Sequence, residues 1–494
     1  MKADKARMEA GMEADEARSL ARALLTLVQR AQTLVDESRP PPELAARVTA
    51  HLGCPLRDLV CVTQGYPSWE QASLQRGVDA YVAARGDTGW FGVSGQGREH
   101  NDLIDILSSG AEHFALGAVD YATVAAGPEE TVEVVSFGLV LTSAPDGSPV
   151  VLGVRGPAEM YGREDCRIEV IAAARPAATA VREEVERLTR REDVLRGQIL
   201  TFGVSEHRGN SLVTFLPRPS LDPEQVILPE GVLDTVERHV VGIGRHAAAL
   251  VARGQHLKRG LLLHGPPGTG KTHTVRYLMG RMPEATVVVL AGTAMRFIEE
   301  AAALARRLQP AVVVVEDVDL VAHDRRFSEE GSPLLFTLFD AMDGIGADAD
   351  VTFVLTTNRA EVLEQALADR PGRVDLAVEV PRPDARCRAA LLRLYGGDLL
   401  PEGDLEPLVT RTEGMTASFF KELLRRAVLT ALTADERAER PSPAHLATAL
   451  EEMLHARQAL TRALLGAPRP AGRPTDDRLN DGEADLDPGG YGAS

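Results

Sequence analysis

Lysine is scarce in this sequence: only Lys2, Lys5, Lys258, Lys271 and Lys421 occur, although arginine is abundant. Basic residues are outnumbered, 54 against 72 acidic, for a formal net charge of −18. That balance disfavours a nonspecific grip on nucleic acid or anionic lipid. Where lysine is this rare, each one is a candidate for a specific task. Cysteine is thin as well. Cys54, Cys61, Cys166 and Cys387 are scattered, with no C-x-x-C pair and no neighbouring histidine cluster. Structural zinc is therefore not expected, and reduced thiols of a cytosolic compartment fit the pattern. No apolar run approaches the ~18 residues needed to cross a bilayer. The first residues, MKADKARMEAGMEADEARS, are charged throughout and do not read as a secretory signal. The expectation is a soluble, cytoplasmic protein without a membrane span.

What is present is a chain long enough for roughly three globular units. Residues 1–40 carry one leading helix, with apolar residues at helical spacing from Leu20 to Val35, closed by Pro40-Pro41-Pro42. Residues 41–220 read as one α+β domain. Helical patterns come first, then β-rich stretches at Thr131–Thr142, Pro149–Arg155 and Arg167–Ala172, a helix over Pro176–Leu195, and a strand at Gln198–Phe202. The stretch from Pro217 to Pro223 reads as a linker. Beyond it, over 221–383, helices alternate with short apolar strands at Arg259–Leu263, Ala285–Leu290, Ala311–Val315 and Val351–Leu355, which predicts a parallel sheet covered on both faces. Residues 384–465 show helical periodicity only. The tail, 466–494, is rich in Pro, Gly and Asp and is expected to be disordered.

The predicted strand at Leu261-Leu262-Leu263 runs into His264-Gly265-Pro266-Pro267-Gly268-Thr269-Gly270-Lys271-Thr272-His273, which fills every position of G-x-x-x-x-G-K-[ST]. Glycines without a Cβ let backbone N–H groups wrap phosphate oxygens, and the following helix points its positive end at them. Lys271 is the residue expected to reach the β- and γ-phosphates, and the Thr272 hydroxyl to ligate Mg²⁺. A second glycine-rich stretch, Gly92, Gly95 and Gly97, lacks both the preceding strand and a Gly-Lys-Ser/Thr, and reads as a surface turn.

A phosphate loop needs a second strand whose acids hold the metal and position water. VVVVEDVDL, from Val312 to Leu320, supplies Glu316, Asp317 and Asp319 behind four β-branched residues. The next strand ends at Thr356-Thr357-Asn358, where an amide can bond both a γ-phosphate and a nucleophilic water. Arg370 and Arg373 follow in ADRPGRVD. Arginines spaced this way read either as ordinary surface charge or, in a ring, as groups that reach a neighbouring subunit's site.

HGPPGTGKT, VVVVEDVDL, LLFTLFDAMDG, LTTNRA and ADRPGRVD, in this order, resemble the AAA+ ATPases and specifically their AAA family, over roughly Val226 to Leu460. The resemblance implies a P-loop NTPase α/β fold with a parallel sheet and a helical lid, here preceded by an α+β N-terminal domain. It also implies ATP and Mg²⁺ as cofactors, and hydrolysis between subunits of a homo-oligomeric ring, usually a hexamer, that remodels macromolecules. On that pattern Gly265 to His273 bind nucleotide, Thr272 and Glu316 hold the metal, and Asp317 polarises water. Asn358 is the sensor, and Arg370 and Arg373 are the paired fingers. The usual acid order is Asp then Glu. The Glu-Asp-Val-Asp order here is similar to the AAA branch that includes the mitochondrial Rieske-protein translocase. Where many relatives carry a pore loop, Phe297 and Ile298 are followed by Glu299 instead of glycine, so Phe297 reads as a packing residue. The absence of H-E-x-x-H sets the chain apart from membrane-anchored zinc proteases with related ATPase modules. The N-terminal domain is the expected seat of a protein substrate or adaptor. A slow nucleotide-dependent switch or scaffold is the alternative, and a nucleic-acid remodeller a weaker one.

Overall fold

A computed structural model describes residues 43–85, 89–108, 114–158, 165–203, 213–319, 333–361, 373–400 and 405–464, with Leu24, Thr26, Leu27 and Arg30. Those four are helical and are all that is described of the expected leading helix. The expected tail, 466–494, lies outside the described residues. The chain forms two compact units, Met1–Pro381 and Arg382–Ser494.

Two seven-stranded sheets build the first unit. The first sheet consists of β1 (Val60–Pro67), β2 (Trp90–Ser94), β3 (Ala115–Gly117), β4 (Asp120–Ala125), β5 (Thr131–Ser143), β6 (Pro149–Arg155) and β7 (Asp165–Ala172). Its order is β1-β7-β6-β5-β2-β3, with β4 also on β5, and every pairing is antiparallel. Both faces are covered, which is why β5 to β7 read as long apolar runs. Val150, Leu152 and Val154 pack with the helices Gln71–Ala83 and Arg175–Arg191. Val151, of opposite parity, packs with Glu43–Leu52 and Leu103–Ser108. Inside this sheet Arg155 and Glu169, each 1% exposed, pair at 2.7 Å. The Phe137 ring lies 4.6 Å below the guanidinium.

The glycine-rich stretch expected to be a surface turn is in part a strand. Trp90–Ser94 is β2, and a Cβ on Gly92 would lie 1.7 Å from the Ala118 carbonyl oxygen. That glycine admits the β3–β4 connection against the sheet.

The second sheet takes β8 (Ile199–Phe202), β9 (Val213–Leu216), β10 (Arg259–His264), β11 (Thr286–Leu290), β12 (Ala311–Val315), β13 (Val351–Thr357) and β14 (Leu376–Glu379). The order is β14-β10-β13-β12-β11-β8-β9. All pairings are parallel except β8 with β9. Val312 and Val314 face the helix Lys271–Arg281, while Val313 and Val315 face Ile298–Arg307 and Pro333–Asp343. Two covered faces require apolar residues at every position, and the valine run satisfies both.

One expectation changes here. The reading of 41–220 as one domain groups the strand at 199–202 with the first sheet, but β8 pairs with β11 (Ile199 opposite Val287) and extends the second. Nor is the stretch Pro217 to Pro223 a slack linker. Arg218 donates to the carbonyls of Met279 (2.7 Å), Met282 (3.0 Å), Gly197 (2.7 Å) and Ala285 (3.0 Å). The first sheet's helices also touch the second sheet's layer. Arg307 pairs with Glu70 and, at 3.1 Å, with Asp193. Phe202 stacks on Phe297 (5.3 Å) and meets Trp69 edge-on (5.9 Å). Phe297 is thus a half-buried packing residue.

The second unit contains the helices Ala385–Gly396, Glu406–Arg411, Ala417–Ala434 and Pro443–Leu464. Asp384 caps the first by accepting from the Cys387 N–H at 2.7 Å. Leu392, Phe420, Leu423 and Leu450 form its buried centre.

Candidate functional site

The C-terminal ends of β10, β12 and β13 lie side by side, in register from Val313 to Phe353 and from Gly260 to Phe353. Each strand therefore delivers its terminal residues to one edge. β10 turns into the glycine loop, where Gly265, Gly268 and Gly270 have φ of 140°, 76° and 116°. A side chain is strained at all three. At Gly265 space forbids one too, since a Cβ would sit 2.3 Å from the Val380 carbonyl oxygen. The Thr269 hydroxyl donates to the Pro266 carbonyl at 2.9 Å and braces the loop from within. His273 bonds the Gln225 carbonyl at 3.0 Å through Nε2, which is therefore the donor.

Lys271 opens the helix Lys271–Arg281 and is 6% exposed. Its ammonium donates to Gly265 O (2.8 Å), Pro266 O (3.0 Å) and Asn358 Oδ1 (2.7 Å). The other end of the same amide, Asn358 Nδ2, donates to Asp317 Oδ1 at 3.0 Å. One asparagine thus joins the lysine of the loop to the second acid of β12. Burial lowers the Lys271 pKa, while Asp317 and Asp319 oppose that shift.

Asp319, singled out among the acids of VVVVEDVDL but given no role there, has a definite one. At 4% exposure it accepts from the Thr357 hydroxyl (2.9 Å) and from the Asn358 N–H (3.0 Å), fastening the end of β13 to that of β12. Asp317 N–H donates to Thr356 Oγ1 at 3.0 Å in the same way. The backbone at Asp317 has φ of 52°, the only positive value among the described non-glycine residues. Aspartate tolerates this left-handed conformation better than glutamate does, because its short side chain bonds locally. The Glu-then-Asp order therefore matches the backbone, and the bent strand end brings the shorter carboxylate to Asn358.

Glu316 is half-buried. Burial raises its carboxyl pKa; the nearby Thr272 side chain and Arg276 pull it down, and Asp317 pushes it up. A threonine hydroxyl beside two carboxylates is a hard-oxygen set, which suits Mg²⁺ rather than a soft metal. The tight glycine turn, the buried ammonium and the helix N-terminus suit a polyphosphate.

Arg370 lies outside the described residues. Arg373 is 6% exposed, paired with Asp343 and stacked 4.8 Å over Phe339, so its guanidinium is engaged within its own chain. Arg218, the clamp on the far end of the Lys271 helix, escaped sequence reading because an arginine among prolines carries no signal of what it will meet.

Strand, glycine loop, buried lysine, acidic strand end and strand-end amide define a P-loop nucleoside-triphosphatase module. The particular kind follows from comparison. A family model described as "ATPase family associated with various cellular activities (AAA)" matches residues 261–382. The chain is 33% identical over 244 residues to the ATP-dependent zinc metalloprotease FtsH 3 of Sphaerobacter thermophilus, covering 46% of this chain and 48% of that protein. It is 31% identical over 284 residues to FtsH 2 of Symbiobacterium thermophilum, covering 54% and 44%. A proteasome-activating nucleotidase of Methanosphaerula palustris is 30% identical over 193 residues, covering 36% and 46%. Residues 261–382 thus match an AAA domain, and the chain spans about half the length of the curated relatives it matches.

Proposed function

We propose that this chain hydrolyses ATP in a homo-oligomeric, hexameric ring in the cytoplasm and uses the cycle to remodel protein. The observation that carries the catalytic part is the chain of contacts Lys271–Asn358–Asp317. It ties the phosphate loop to the acid that would orient water. Lys271 and the loop from Gly265 to His273 hold the triphosphate, and Thr272 with Glu316 hold Mg²⁺. Mg²⁺, when bound, neutralises charge on the phosphate oxygens. Asp317 accepts a hydrogen bond from the attacking water, and Asn358 keeps that carboxylate turned toward it. Arg370 acts on a neighbour's site, while Arg373, tied to Asp343, anchors the segment that carries it.

A protein substrate is supported by the relatives, whose names describe a protease and a proteasome activator. The first sheet and its helices, which share no match with the family model, would recognise the substrate or its adaptor. A slow switch is the second reading, favoured by an Asp one methylene shorter than Glu at the water-orienting position. Phosphate release by the full chain, followed against protein concentration, tests both readings. Turnover per subunit should rise as rings assemble, and Lys271→Ala should lower it by roughly 10²–10³-fold. Unchanged turnover in that variant would refute the site. A parent that binds ATP without turnover would select the switch.

A further inference from the structure

At the opposite end of the same strands lies a cleft of about 570 Å³. The starts of β10, β12 and β13 line it, together with the C-terminal end of the helix Lys271–Arg281. Its walls are largely apolar, from Val241, Met282, Ala285, Pro310, Ala311 and Val312. Size and lining are those of a small-molecule site. Arg259 and Thr352 also line it. They are 4% and 0% exposed, and each keeps one buried polar atom without a partner, Nε and Oγ1 respectively. Three of the five Arg259 N–H donors go to Leu257 O (2.7 Å), Asp350 Oδ1 (2.8 Å) and Val240 O (3.0 Å). The Nε–H and one Nη2–H are left over on one side of the fork, in a wall where unmade hydrogen bonds are rare. Arg245 and Arg281 join Arg259 on the lining with Glu284 and Asp350; Arg259 pairs with Asp350 and Arg281 with Glu237 at 3.1 Å.

We infer that this cleft binds a small amphipathic molecule with an apolar body and a carboxylate end, and that the ligand regulates the ATPase site from below. The carboxylate accepts from Arg259 Nε and Thr352 Oγ1, and the apolar body covers Ala285, Ala311 and Val312. The elements it touches carry Lys271 and Thr272, Glu316 and Asp317, and Asn358 at their other ends. An occupant holds the bases of these elements in one arrangement, and through them the tips. The regulatory clause rests on the ATPase reading, whereas binding itself does not.

Sodium decanoate is the probe, titrated calorimetrically into the full chain without nucleotide and below its micellar range. Saturable binding at one site per chain is expected, with decanol binding about tenfold more weakly. Thr352→Val, which removes only the hydroxyl, should weaken decanoate roughly fivefold. Met282→Trp, which fills the mouth, should abolish binding, and Lys271→Ala should leave it unchanged. Absence of saturable binding, equal affinity for decanol, or binding indifferent to Met282→Trp would each overturn the inference. So would loss of binding in Lys271→Ala, which would place the probe at the nucleotide loop. Decanoate should then shift phosphate release by the parent but not by Met282→Trp. If decanoate binds as described and turnover does not move, the regulatory part fails while the site stands. If no turnover exists to move, the ATPase reading fails instead.

Discussion

Both sheets of the first unit bury charge, but they place it differently. In the antiparallel sheet Arg155, at the end of its strand, and Glu169, inside the next, pair with each other, each 1% exposed, with the Leu103 N–H adding a bond to the carboxylate at 3.3 Å. In the parallel sheet the charges gather at the strand tips. There Lys271 meets Asn358, and Asn358 meets Asp317, with Glu316 beside them on the same strand end. A pair closed off on every side, as both exposures show, can only hold the fold. Tips of parallel strands open on one edge, where loops and helix N-termini converge and a ligand can enter. The contrast teaches that burial of charge is not by itself a mark of chemistry; an edge open to a ligand is.

The largest effect should come from breaking the closed pair. Glu169→Gln removes a buried carboxylate 2.7 Å from Arg155, and the full chain should lose roughly 3–5 kcal/mol in urea denaturation. Phosphate release per folded molecule should hold. Lost turnover at full stability would give the antiparallel sheet a catalytic part and erase the distinction. Next comes Asp319→Ala, which frees the Thr357 hydroxyl and the Asn358 N–H. Stability should fall by about 1–3 kcal/mol. Turnover should fall with it, because Asn358 loses its anchor; a stability loss alone would move Asp319 to the structural side.

Glu316 provides a pH test. Its folded-state pKa is raised, chiefly by burial, so the folded chain binds this proton at pH values where the unfolded chain has released it. Its contribution to stability is therefore lost as pH rises through the interval between the two pKa values. Glu316→Gln should melt a few degrees higher than the parent at pH 8. The difference should close below about pH 4, where the parent carboxyl is protonated in both states. Turnover should fall at every pH, and an equal melting difference across the range would show that charge is not the cause. The smallest effect belongs to Phe297→Leu, which keeps an apolar side chain but loses the stack on Phe202. A cost of about 1 kcal/mol in stability, with unchanged turnover, is expected. A selective loss of substrate-stimulated turnover would instead make Phe297 a contact for substrate.

Legibility divides along the same line. The phosphate loop, the acidic strand and Asn358 were readable because each is a short contiguous pattern, and parallel strands bring contiguous strand ends together. Strand positions were readable where alternation or a valine run left no other choice, as at Pro149–Arg155 and Ala311–Val315. The sheet to which β8 belongs was not. Ile199 to Phe202 is apolar enough for either, and only long-range pairing with Val287 decides it. The left-handed turn at Asp317 was hidden for another reason. The sequence shows the swapped acids but not the backbone that makes the swap suitable. Arg373 matched a motif, and its burial against Asp343 and Phe339 depends on residues about thirty positions away.

The four carbonyls gathered by Arg218 have a mechanical meaning. The guanidinium stands as a post where the path from the antiparallel sheet meets the base of the helix that begins at Lys271. Chain on either side of a slack connector could move without consequence for the other. Here a pull on the first sheet has no slack to take up, and it arrives as torque on the helix whose opposite tip carries Lys271.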